Sequence, residues 1–310
     1  MLSYVLRRVL YAVPIAMGVT LLVFALLHIA PGDPINAVAG PDAPAEAVEA
    51  LRRAYGFDKP LPLQYLLYLG RIASGDLGVS VATGRPVVGE LAAAFVNTFV
   101  LALAAAGIGF TAGAALGAVA GWRKGSVVDR FATFVSLIGV SVPHYWLGMV
   151  LVILMAVEAH WLPAMGMGTG LRELAAHAIL PALTMAVIPT GIVARTVRAA
   201  VGETLEREFV QALRAKGLRR GAIMRHVARN VSPTIVAVLG LQFGYLLGGS
   251  ILIETVFAWP GTGFLLNEAI FKRDLPVLQG ILLMLAMFFV LLNLGVDVVQ
   301  AWLDPRMRRA

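Results

Sequence analysis

Apolar residues gather into six long stretches, at 9–30, 97–121, 131–157, 177–197, 233–257 and 278–303, and charge and turn-forming residues return between them. A helix crossing a hydrocarbon core about 30 Å thick takes roughly 20 largely apolar residues. Each stretch is long enough, so the pattern predicts an all-α polytopic membrane protein with six transmembrane helices. Two intervening segments are large enough to act on their own, residues 31–96 and 198–232. Within the first, Ala45 to Ala54 and Gln64 to Ala73 have the spacing of short amphipathic helices. The organisation that follows is an N-terminal transmembrane helix at 1–30, a loop at 31–96, a five-helix core at 97–303 and a short tail at 304–310.

Composition agrees with this reading. Of 310 residues, 59% are apolar and 14% charged, against about a quarter charged in soluble domains. The 25 Lys and Arg against 18 Asp and Glu have to be read by position, because basic residues collect on the cytoplasmic side of membranes. With the N-terminus inside, the short inner segments hold 17 basic residues and the short outer ones 3, so the expected orientation is N-in and C-in. The basic surplus therefore points to membrane lipid and not to nucleic acid. Arg7 and Arg8 precede an apolar run too long for a secretory signal, and Pro31-Gly32-Asp33-Pro34 follows it instead of a cleavage site. The first span is expected to stay as an anchor. The chain has no cysteine, which excludes disulfides, thiolate metal sites and Cys nucleophiles.

Small and polar residues mark faces within the spans. Gly109, Gly113, Gly117 and Gly121 recur every fourth residue in the second span, the spacing that lets membrane helices approach closely. Gly240, Gly244 and Gly248 do the same in the fifth, beside Gln242 and Ser250, and Glu254 lies near its outer end. Polar groups at membrane depth are costly, which makes Gln242, Gly244, Gly248, Ser250 and Glu254 the candidates for a translocation path. Asn293 and Asp297 share a face of the sixth span and are expected to bond a neighbouring helix; His28 and Glu158 sit at span ends. Pro143 and Pro189 are expected to kink the third and fourth spans.

The inner segment at 198–232 has its own design. From Glu203 to Lys216, Leu205, Phe209, Ala212 and Leu213 fall on one side of a helix and charges on the other. Gly217 stands where a helix stop belongs, since glycine readily takes the left-handed cap conformation. A second amphipathic piece follows, with Ile223, Val227 and Val231 on one face and Arg225, His226 and Arg229 off it. The pair predicts a compact two-helix surface element; a basic loop lying on anionic lipid headgroups is the plainer alternative. No nucleotide-binding P-loop, His-Glu-x-x-His or Gly-x-Ser-x-Gly pattern occurs, so energy for any transport comes from another chain or an ion gradient.

Gln211-Ala212-Leu213, followed by Gly217 after three residues, resembles the Glu-Ala-Ala-x-x-x-Gly loop of ATP-binding-cassette importer permeases. Arg-Ala-Lys-Gly at 214–217 with Arg-His-Val-Ala-Arg-Asn at 225–230 is similar to the version in the dipeptide, oligopeptide and nickel permease family. Gln211 and Leu213 depart from the general motif, as do Arg229 and Asn230 where many permeases have Leu-Pro; the peptide branch shares these departures. Further blocks in matching order are His-Ile-Ala-Pro-Gly-Asp-Pro at 28–34, Tyr-Gly-Phe-Asp-Lys-Pro-Leu at 55–61 and Gly-Asp-Leu-Gly-Val-Ser at 75–80. Ser-Val-Pro-His-Tyr-Trp at 141–146 and the stretches at 241–250 and 254–263 complete the set. Ala-Gly-Pro at 39–41 and the span-five block look most like dipeptide and glutathione permeases.

The resemblance implies a transport subunit of the bacterial inner membrane, without catalytic or metal-ligating residues. ATP and Mg would be bound by two partner ATPase subunits, and a second homologous permease would complete the path. A periplasmic or lipid-anchored binding protein would deliver a peptide or glutathione, or a nickel chelate as the alternative cargo. Residues 207–217 would form the coupling helix, with Glu208, Gln211, Ala212, Ala215, Lys216, Gly217, Arg225 and His226 meeting the ATPase. Two rival readings differ in kind. An ion-coupled carrier would use Glu254 and Asp297 but leaves the inner helix unexplained. An intramembrane serine protease is suggested only by Gly139-Val140-Ser141-Val142, and no facing helix offers its histidine.

Overall fold

The computed structural model describes residues 2–29, 44–54 and 56–303. The expected turn at Pro31–Pro34, the Ala39–Pro41 block, Tyr55 and the tail at 304–310 lie outside the described residues. In chain order the helices are α1 (Leu2–Ile29), α2 (Ala45–Ala54), α3 (Leu61–Ala73), α4 (Val87–Trp122), α5 (Val127–Ser141) and α6 (His144–Leu151), which passes into a π-helical segment, Val152–Glu158. They continue as α7 (Leu171–Glu206), α8 (Glu208–Ala215), α9 (Arg220–Gly248), α10 (Ile251–Val256), α11 (Thr262–Lys272) and α12 (Leu275–Leu303). One isolated bridge, Val79 with Pro86, is the extended pairing among the described residues.

Among the described residues five helices, α1, α4, α7, α9 and α12, are long and apolar enough to cross a membrane, and α5 with the α6 segment makes a sixth candidate if the bent pair is one span. The expected kink at Pro143 is a break of 94°. Val142 and Pro143 are both extended, at ψ 128° and 117°. A proline pushes the residue before it out of the helical region and has no N–H of its own to continue the ladder. At Pro189 the outcome differs: α7 runs unbroken through both Pro181 and Pro189.

The polar segments also differ from the sequence reading. Residues 198–206 are not loop but the last turns of α7, and the second amphipathic piece is not a separate short helix but the start of α9. The fifth stretch is divided at Gly249-Ser250 into α9 and α10. Helix α11 was not foreseen, because Phe264, Leu265 and Leu266 read as part of a connection between spans.

The chain forms two compact units, one from residues 99–259 with the last part of α12, the other from residues 5–98 and 260–291. In the first, the glycine stripe of α4 lies on α7 in a fixed register. A Cβ at Gly109 would stand 2.9 Å from the Ala186 carbonyl oxygen, at Gly113 2.8 Å from Thr190 O, and at Gly121 2.7 Å from Arg198 O; at Gly117 it would meet Ala194 O. Both sequences ascend together in steps of four, so α4 and α7 are parallel. Helix α5 runs the other way along α7, since Gly191 abuts the Ser136 carbonyl and Gly139 abuts Val187 O. Its start is capped by Ser126, whose hydroxyl accepts from Asp129 N at 3.2 Å.

The second unit is tied by polar contacts. Tyr65 on α3 meets Thr20 Oγ1 on α1 at 2.8 Å and donates to Met17 O, and Gln64 meets His28 Nε2 at 2.9 Å. Asp274 is buried; it accepts from Ser80 Oγ at 2.5 Å and Ala82 N at 3.1 Å, and caps α12 through Val277 N. Thr98 and Thr262 hydroxyls meet at 2.9 Å, and Asn97 donates to Pro260 O. Near these ties Gly280 lets α12 approach Leu91 and Val87 of α4.

Candidate functional site

Helix α8 starts abruptly. Arg207 is extended, at φ −69° and ψ 146°, which separates it from α7 and turns the chain. Glu208 in the first turn and Arg214 in the last complement the helix dipole. The buried anchor is Val210, fully enclosed, with Phe209, Leu213 and Leu218 packed around it against Val197 and Val201 of α7 and Ile223 and Val227 of α9. Val210 is absent from the face read off the sequence, and Ala212, placed on that face, is exposed. The signal was available: Val210 lies three residues before Leu213, a spacing that shares a face as well as Phe209's does.

Gly217 ends α8 as expected. Its φ is +72°, its N–H donates to Arg214 O at 2.9 Å, and Leu218 N donates to Leu213 O at 3.2 Å. This pair of bonds is a Schellman cap, and Leu213 and Leu218 supply its usual apolar contact. All eight residues assigned to docking, Glu208, Gln211, Ala212, Ala215, Lys216, Gly217, Arg225 and His226, are exposed. Three of them are Ala or Gly, so the outward face of α8 is low and offers its backbone for close approach. The apolar face of the same helix is already used within the chain. What remains outside is a small, rigid, charged-edged projection.

Two ion pairs brace the ground beside it. Asp129, buried at the start of α5, takes both Nε and Nη2 of Arg198 and also accepts from Gly125 N at 2.9 Å. Lys124 and Glu206 pair at 2.6 Å where both are exposed. Together they hold the α4–α5 connection on the last turns of α7. Neither pair is visible as a local pattern, since 69 residues separate Asp129 from Arg198 and 82 separate Lys124 from Glu206.

The candidate path residues fall into buried and exposed positions. Gln242, Ser250 and Glu254 are 4%, 0% and 0% exposed, enclosed by their own chain. Ser250 Oγ donates to Leu247 O, and Gln242 Nε2 is buried without a hydrogen-bond partner. Gly244 is buried as well, Gly240 accommodates Val296 of α12, and only Gly248 is exposed, with open space at its Cβ. The face of α9 and α10 that reaches the surface carries Leu241, Tyr245, Gly248 and Leu252. Within α9 the cause is the helical period: residues 241, 245 and 248 follow one another at four and three on one side, and residues 242 and 246 fall on the next.

Two family models match the chain. The binding-protein-dependent transport system inner membrane component matches residues 113–309, and the N-terminal part of such membrane components matches residues 1–102. The glutathione transport system permease protein GsiC of Pectobacterium atrosepticum is 40% identical, with 99% of each chain covered. GsiC of Escherichia coli strain K12 is 37% identical over 99% of each chain. The dipeptide transport system permease protein DppB of Alkalihalophilus pseudofirmus is 35% identical over 99% of this chain and all of its own. Among solved structures, the inward-facing MetNI methionine ABC transporter superposes with a TM-score of 0.57 at 19% identity, covering 69% of this chain and 96% of that one, a likeness of fold.

Proposed function

Because the chain belongs to the family of binding-protein-dependent transport system inner membrane components, and so is a multi-pass permease subunit of an ABC importer, we propose the following working arrangement for it. Six spans cross a bacterial inner membrane with both termini in the cytoplasm. Two observations support this count. Helices α4 and α7 lie parallel with α5 antiparallel between them in sequence, so the chain returns across the membrane through the bent α5–α6 pair. The charge balance of 17 against 3 supports a cytoplasmic position for α8.

Helix α8 is the element that receives force. The observation that carries this role is the combination of an exposed Ala and Gly face with a Schellman stop at Gly217 and an anchor at Val210. A partner ATPase closing on nucleotide would push a helix that cannot fray or slide independently, and the push would pass to α7 and α9, which bury its apolar side. Two conformations of the permease pair would thereby be stabilised in turn. ATP and Mg belong to the two ATPase subunits in this scheme; a second homologous permease completes the path, and a binding protein delivers di- or oligopeptides, glutathione included. The ion-coupled reading is not favoured, since the relatives are permease proteins of binding-protein-dependent transport systems.

Purification of the tagged protein in mild detergent, followed by mass spectrometry of what accompanies it, tests the assembly. ATPase chains and a second permease are expected. Recovery of the chain without ATPases, even after crosslinking through residues 207–217, would defeat the assignment of α8. Ligand retained by a co-purifying binding protein names the cargo and separates peptide from nickel chelate.

A further inference from the structure

Two interruptions of helical backbone occur in the same unit and meet. One is Val142-Pro143, between α5 and α6; the other is Gly249-Ser250, between α9 and α10. Helices α6 and α10 pack together, and a Cβ at Gly148 would stand 3.1 Å from the Phe257 ring that follows α10. Irregular backbone is tolerated at membrane depth only where protein buries it or where it lines a polar cavity. Here a notch of about 10 Å³ lies between the breaks, lined by His144, Met185, Ile188, Tyr245, Leu246 and Gly249. It has room for one water-sized group.

Its depth follows from α7. Ile188 lies ten residues from Arg198, about 15 Å of helix rise and so about half of a 30 Å hydrocarbon core, with Arg198 level with the end of α4. A Cβ at Gly249 would stand 2.9 Å from the Tyr245 carbonyl oxygen, with the Tyr245 ring beside it in ordinary contact at 3.4 Å, so glycine suits the close backbone at this break. Tyr245 is 41% exposed, and its neighbours along the exposed stripe are Leu241 and Gly248. The lining contains no acid. The lining residues with polar side chains are His144 and Tyr245, and His144 opens the first turn of the eight-residue α6, whose N–H groups have no carbonyl within the helix. Such a set can donate to an acceptor oxygen and carries no acid to pair with an ammonium.

We propose that the His144–Tyr245 notch hydrogen-bonds a carboxylate oxygen of the cargo midway across the membrane, a waypoint that the cargo leaves as the two breaks move apart. This rests on the importer reading, and the cargo class is a small molecule carrying a free carboxylate. The site gives a charged group a step between two aqueous faces, and its small size favours release over retention.

The test is uptake by the whole transporter in liposomes, with dialanine and glutathione as probes. His144→Leu and Tyr245→Phe should each lower uptake about tenfold, the loss of one hydrogen bond to a charged group. His144→Gln, which keeps an N–H donor, should recover at least half of the loss, which a merely steric role would not allow. The subunit ratio of the purified complex reports folding and should stay that of the wild type. Wild-type uptake by both His144→Leu and Tyr245→Phe would overturn the proposal, as would equal failure of His144→Gln and His144→Leu. Absence of ATPase subunits from the wild-type complex would be seen before any variant is made, and would overturn the importer reading together with the notch.

Discussion

Single atoms decide several features of this chain. At Gly217 a Cβ meets nothing, so its cost is that of the left-handed backbone alone, about 1–2 kcal/mol. Gly217→Ala should therefore leave the chain folded but weaken its retention of ATPase subunits in a pull-down, and Gly217→Asn should do so less. The stripe on α4 behaves in the opposite way. A methyl at Gly117 is driven into the Ala194 carbonyl, whereas at Gly107 it meets open space. Gly117→Ala should destabilise the chain by about 1–3 kcal/mol, read as a lower thermal midpoint in detergent, and Gly107→Ala should leave the midpoint unchanged or raise it. The two ion pairs near α8 divide similarly. Asp129→Asn should cost on the order of 2 kcal/mol, below the full penalty of a buried pair because Arg198 is 34% exposed. Lys124→Ala should cost under about 1 kcal/mol, since both partners there are solvated.

At the scale of elements, α8 shows what a short helix needs to transmit force. Eight residues in isolation would not hold a helix in water. Here Val210 fastens one face to α7 and α9, Arg207 and Gly217 set its ends, and the connection after it is a single turn into α9. Val210→Ala should cost about 1–3 kcal/mol and loosen α8, so that limited proteolysis cuts within 207–219 sooner than in the wild type, with the membrane helices unaffected. The end of this helix was legible in the sequence, because amphipathic spacing and a glycine stop are local. Its start was not legible in that spacing, since Glu203 to Glu206 continue the helical pattern of α7; only the resemblance put it at 207, where the extended Arg207 separates the two.

For the whole molecule the open question of topology has a direct measurement. The chain has no cysteine, so a single introduced thiol reports its own side of the membrane. Val127 and Met165 are 75% and 60% exposed and flank the bent α5–α6 pair. With six spans, Val127→Cys should react with an impermeant maleimide only from the cytoplasmic side and Met165→Cys only from outside. Labelling of both from one side would make the pair a re-entrant loop and reduce the spans to five. The parallel register of α4 and α7 argues for opposite sides, since two parallel neighbouring helices require an intervening crossing.

Hydropathy alone located the apolar stretches, set the helical class and marked α8 with its glycine stop, because burial from water and helix capping act over a few residues at a time. The resemblance carried by the blocks from His28 to Gly263 then pointed to the family. Tertiary structure alone decided the rest. It turned Gln242, Ser250 and Glu254 inward and left Tyr245 and Gly248 on the surface, and it opened the third stretch into a 94° break. It also joined Asp129 to Arg198 and Ser80 to Asp274, pairs separated by 69 and 194 residues. The reason is physical: lipid and protein interior are equally apolar, so a membrane helix reads alike on both faces, and only the packing of one helix on another assigns each face its neighbour.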